Sequence, residues 1–153
     1  MGVAVILSVM ILISSAALCL FYLQTSCQNI LRREFEPERL RSIANAYRLE
    51  FLLVRKEVEG SDGPVDYKRV SMALKCDYLA LSYLLKNKAA KGCSRKEHLL
   101  MLYFKILSVV LSVSHLLKLN EKGAIVKQTS ILNYLANTVG EQAGEIQFCC
   151  LTA

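Results

Sequence analysis

The sequence predicts an all-α protein built as an N-terminal transmembrane helix followed by an antiparallel four-helix bundle. Three observations carry that expectation. Residues 2–23 contain no charged side chain. The rest of the chain repeats apolar residues at spacings of three and four, the period of a helix rather than of a strand. Pro and Gly are few, 2 and 7 of 153 residues, which leaves short connections between helices. Short connections make consecutive helices antiparallel neighbours.

The opening stretch reads GVAVILSVMILISSAALCLFYL. At 1.5 Å per residue it would extend over roughly 33 Å, enough for the hydrocarbon core of a bilayer. A cleaved secretory signal has a basic leading region and a core of only about 7–15 residues. Here no Lys or Arg precedes a much longer core, so a retained anchor is expected. Cleavage near Ser15-Ala16-Ala17 or Thr25-Ser26 is the alternative. Basic residues follow the segment, namely Arg32, Arg33, Arg39 and Arg41, with Arg48 beyond them. The positive-inside tendency then puts the N-terminus outside and the rest in the cytoplasm, as a single-pass membrane protein. The expected division is a transmembrane signal anchor over 1–27, a basic juxtamembrane linker over 28–36, the four-helix bundle over 37–140 and a flexible C-terminal tail over 141–153.

The first bundle helix opens with Pro37, a residue favoured at the first helical position. Leu40, Ile43, Tyr47, Phe51, Val54 and Val58 share one face, so a single helix is predicted from Pro37 to Val58. Arg39, Arg41, Arg48, Arg55 and Lys56 lie largely off that face. A turn, EGSDGP, follows. The second helix is predicted from Val65 to Lys88, burying Val70, Ala73, Leu74, Leu81, Leu84 and Leu85. SRKE, Ser94 to Glu97, is a capping box that starts the third helix. That helix, Leu99 to Leu117, is apolar almost all round and is expected at the centre of the bundle, with a second membrane span as the alternative. Lys105 within it opposes spanning. The fourth helix is predicted from Glu121 to Val139, with Ile125, Leu132, Leu135 and Val139 inward and Gly140 as its stop.

Charge and motif narrow the function classes. The net charge is +6. Its positive residues are interleaved with Glu, as in RREFEPERLR, without a recognition motif, so nucleic acid is not the expected partner. His98 and His115 are too far apart on one helix to share a metal. No CxxC, phosphate loop, GxSxG or HExxH occurs, so no catalytic, metal or cofactor site is expected. The C-terminal CLTA formally fits a prenylation box, and Cys149 is a candidate for acylation. In the cytoplasm the six cysteines are expected as reduced thiols, with Cys76 a small buried hydrophobe. The expected role is a non-catalytic, membrane-anchored helical interaction module, such as an adaptor, assembly factor or accessory subunit of a membrane complex. Its partners would be the lipid bilayer and a protein of that complex or a second copy of itself. The alternative is a helical-bundle sensor or carrier of an apolar or haem-like ligand. Met101, Tyr103, Phe104, Lys105 and His115 mark the interaction or pocket helix. Lys68, Arg69, Lys75, Lys86, Lys88, Lys91, Arg95 and Lys96 form a basic zone, either a solvated face or one placed against anionic headgroups.

Overall fold

The computed structural model describes residues 2–32, 37–60, 66–88, 94–117 and 122–151. Among them are six helices and no strand: α1 (Gly2–Leu31), α2 (Pro37–Ala46), α3 (Phe51–Gly60), α4 (Tyr67–Lys88), α5 (Arg95–Leu116) and α6 (Lys122–Leu151). The chain divides into two compact units, residues 1–33 and 34–153.

The first unit is α1. Its side chains from Gly2 to Tyr22 are all exposed, including Leu12 at 70% and Phe21 at 70%. Its hydroxyls bond within the helix: Ser8 donates to the Ala4 carbonyl and Thr25 to the Phe21 carbonyl, both at 2.9 Å. A helix with an apolar surface on every side is suited to a non-aqueous surround, and the bonded hydroxyls of Ser8 and Thr25 fit it. α1 also runs through Gln28 to Leu31, the start of the stretch expected as a linker. No Gly or Pro interrupts the chain before Pro37, so nothing local ends the helix sooner.

The second unit holds α2 to α6, five helices where four were expected. The predicted helix from Pro37 to Val58 is broken at Tyr47–Glu50. Arg48 takes φ 51°, in the left-handed region. The Leu49 amide reaches the Ala44 carbonyl at 2.8 Å, and the Arg48 amide reaches the Asn45 carbonyl at 3.4 Å. This is a Schellman motif, with Arg48 in the place usually taken by Gly. Ala44 and Leu49 are both buried, as the motif's apolar contact requires. A non-glycine residue in this conformation costs roughly 1–2 kcal/mol. Arg48→Gly is therefore expected to stabilise the unit by up to about 1 kcal/mol, the gain being trimmed by glycine's extra freedom when unfolded. Urea unfolding of the purified chain checks it, and a loss of stability would mean that the Arg48 side chain holds the corner.

α6 is the hub of this unit and packs against α2, α3, α4 and α5. The helix expected at the centre, α5, instead lies at the side. It buries Leu100, Phe104, Leu107 and Leu111 and exposes Leu102, Val109, Val113 and Leu116. α6 can occupy the middle although it is less apolar, because its Thr and Asn donors bond locally, while the Oε1 atoms of Gln128 and Gln142 stay buried without a partner. The Thr129 hydroxyl donates to the Val126 carbonyl at 2.9 Å, the Thr138 hydroxyl to the Tyr134 carbonyl at 3.0 Å, and the Asn137 amide to Asn133 at 2.9 Å. A buried polar group so bonded carries little desolvation penalty. Gln128 reaches outward, donating to the Ser108 hydroxyl of α5 at 2.8 Å.

α6 also passes Gly140, its expected stop, and continues to Leu151. A glycine inside a helix costs only about 1 kcal/mol relative to Ala. The helix formers Glu141, Gln142 and Ala143 follow, and Val139 is buried just before it. The backbone over 141–151, expected as a flexible tail, is thus helical.

Candidate functional site

The capping box forms as predicted. The Ser94 amide donates to Glu97 Oε2 at 2.8 Å, and Glu97 is buried against the start of α5. Asp66 stands just before α4, and its carboxylate accepts the amides of Lys68 and Arg69 at 3.2 and 3.4 Å.

Rings join α4 to α5 at two levels. Tyr67 stacks on His115 with centroids 3.9 Å apart, and its hydroxyl donates to that of Ser112 at 3.0 Å. Tyr78 stacks on Phe104 at 4.4 Å, and its hydroxyl reaches the Met101 carbonyl at 3.5 Å. Met101, Tyr103 and Phe104 are all buried. His115 is exposed beneath Tyr67, and Lys105 is exposed about 80° further round α5. The five residues singled out on this helix are therefore distributed around it rather than gathered on one wall.

Of the membrane-proximal basic residues, Arg32 is exposed in the turn after α1 and Arg41 is exposed on α2. Arg39 belongs to α2, though its side chain lies outside the described residues, as does Arg33 altogether. In the basic zone Lys68, Arg69, Lys75 and Lys86 are exposed on α4, and Arg95 and Lys96 on α5. Lys91 and the Lys88 side chain lie outside the described residues, as do Cys93 and the side chains of Cys149 and Cys150.

Sequence reasoning missed a cleft at the α2–α3 corner. It encloses about 340 Å³ between Arg48, Glu50, Arg69, Met72, Ala73, Cys76 and Asp77. Asp77 forms its floor. One carboxylate oxygen accepts the amides of Glu50 at 2.9 Å and Phe51 at 2.7 Å, so α4 caps the start of α3. Burial pushes the Asp77 carboxyl above the usual range for an aspartate. The amides of Phe51 and Glu50 oppose that shift, and the Glu50 charge adds to it. Cys76, expected as a buried hydrophobe, is exposed. The correction follows from helical phase: Cys76 points outward with Met72, Leu79 and Tyr83, while Ala73, Leu74 and Leu81 take the buried side.

Two of the helices, α1 and α5, are long and apolar enough to cross a membrane by length and composition. Among the described residues, no three of His, Cys, Asp and Glu come together to hold a metal ion. Comparison with protein-family models, with curated proteins and with solved structures finds no match.

Proposed function

We propose that the protein is a single-pass membrane-anchored interaction module, with α1 retained as the anchor and α2 to α6 forming an antiparallel helical bundle in the cytoplasm. The observation that supports it is the exposure of α1, whose side chains from Gly2 to Tyr22 are uncovered within their own unit. In water such a surface forfeits about 25 cal/mol for each Å² left unburied, whereas a bilayer takes it up. The pairing of Tyr67 with His115 and of Tyr78 with Phe104 supports antiparallel neighbours in the bundle. The second unit offers exposed apolar side chains, most of them on α4 and α5, which is what a partner would engage. The module acts by confinement and contact as an adaptor, assembly factor or accessory subunit.

Topology and mass test this reading together. A reporter fused to the C-terminus is expected on the cytoplasmic side, with the mature chain retaining residues 1–27. A mass lacking the first 17 to 26 residues would make the segment a cleaved signal. An intact chain with an external reporter would require a second span and single out α5.

A further inference from the structure

Within α4 and α5, two carboxylates stand beside a larger set of cations, and both carboxylates are buried. Asp77 caps α3, and Glu97 caps α5 itself. The cations remain outside: Lys68, Lys75, Lys86, Arg95, Lys96 and Lys105 are all exposed. Arg69 is turned toward Glu57 of α3, 3.8 Å away. Asp66, exposed just before α4, spends its carboxylate on the Lys68 and Arg69 amides. The outer surface of this helix pair therefore carries an excess of positive charge.

Apolar side chains share that surface. On α4, Met72, Leu79 and Tyr83 are 66–69% exposed. On α5, Leu102, Val109, Val113 and Leu116 are exposed, Leu116 at 80%. Helical phase places these groups in order around each helix. On α4, Lys68, Lys75 and Lys86 fall between the rings that meet α5 and the apolar stripe. On α5, Lys105 falls between the side that meets α4 and its own apolar stripe. α6 packs on the inner side of both helices. The two outward arcs therefore meet across the Tyr67–His115 and Tyr78–Phe104 seam as one face, with lysines along the middle and apolar stripes on either side. Lys68 and Lys86 are 18 residues apart, so the face is about 27 Å long.

We infer that this α4–α5 face seats on an anionic lipid surface, the lysines meeting headgroup charges and the apolar stripes reaching the boundary with the acyl chains. Charge decides the occupant. In a symmetric dimer the same patch lies on both partners, which would set these lysines against their own copies. An anionic bilayer supplies opposite charge and an apolar layer in the geometry used by interfacial helices. The inference rests on the proposed anchoring by α1, which would hold the second unit beside the membrane.

The test uses the full-length chain, reconstituted into vesicles of phosphatidylcholine alone or of phosphatidylcholine with phosphatidylserine. Cys76 lies on the outward side of α4 and is the native reporter. Its alkylation by a membrane-impermeant maleimide is read by mass spectrometry, with no substitution needed. Phosphatidylserine is expected to slow the reaction about tenfold or more. High salt, or the triple variant K75E/K86E/K105E, is expected to restore the rate, while the chain stays in the vesicles after an alkaline wash. Equal rates in both vesicles with the chain still anchored would overturn the face and leave the anchor standing. Slowing in both vesicles, together with crosslinks between chains through Cys76, would overturn it in favour of a second copy. A chain that washes off phosphatidylcholine but floats with phosphatidylserine in a salt-sensitive way would uphold the face and remove the anchor. A chain that floats with neither would overturn both.

Discussion

Replacing Leu132 or Leu135 by Ala is expected to lower the unfolding free energy by about 2–5 kcal/mol each, the range for large-to-small changes in a packed core. Both are fully buried on α6, the helix that touches every other helix of its unit. The cavity left by either would lie between several helices, with no one neighbour able to close it by a small shift. Leu102→Ala on α5 makes the same chemical change at a position 52% exposed. It is expected to stay within about 0.5 kcal/mol of the parent in detergent. Urea unfolding followed by circular dichroism measures all three. If Leu102→Ala costs as much as Leu135→Ala, α5 is packed on both sides and the face proposed for lipid is part of a core.

The second large effect concerns Asp77. Asp77→Ala removes the acceptor for the amides of Glu50 and Phe51 and leaves the start of α3 uncapped. A buried donor without a partner costs about 1–3 kcal/mol, so a loss of roughly 2–4 kcal/mol is expected for the two. Asp77→Asn keeps an oxygen in place and removes the charge. At neutral pH it is expected to lie within about 1 kcal/mol of the parent or above it, because burial of the carboxylate is the main influence on this group. The pH dependence follows from the raised pKa. The folded state holds the Asp77 proton more tightly than the unfolded state does. Stability from this group is therefore greatest at low pH. It falls as pH rises from the ordinary aspartate range, near 4, through the raised value. The difference in stability between the parent and Asp77→Asn should show that downward slope. A flat difference, with the Asn variant as damaged as the Ala variant, would mean that attraction between the carboxylate and the α3 terminus outweighs its desolvation.

Much of this fold is legible in the sequence because helical period reports burial directly. Val70, Ala73, Leu74, Leu81 and Leu85 on α4, and Ile125, Leu132, Leu135 and Val139 on α6, are buried as their spacing predicts. The Ser94–Glu97 capping box is local and was read in full. The break between α2 and α3 was not. Its left-handed residue is Arg48 rather than Gly, and the carboxylate that caps the new helix stands 26 residues from Phe51. No window of neighbouring residues holds both halves of that corner. Cys76 was misplaced because α4 is apolar on two sides, and period alone does not say which side meets the core. The hub was misassigned because hydrophobicity pointed to α5, whereas α6 bonds its buried Thr129 and Asn137 donors within the helix and reaches α5 with Gln128. The α4–α5 face depends on where Asp77 and Glu97 are turned, and only the folded chain supplies that.

The central place of α6 also sets the order in which the bundle can be made. Translation delivers α2 to α5 before the helix they all pack against. Until α6 emerges, the inward residues of the earlier helices have only one another to cover them. Pairing α2 with α6 then closes a loop spanning most of the unit, a step slowed by the entropy of long-range contact. The contacts that α6 makes with all four earlier helices can form only then, and the apolar side chains that α6 covers stay open to rival contacts until it arrives. Quality control acting on this chain would meet α2 to α5 as a collapsed but unfinished set of helices, with the arrival of α6 separating the unfinished state from the finished one.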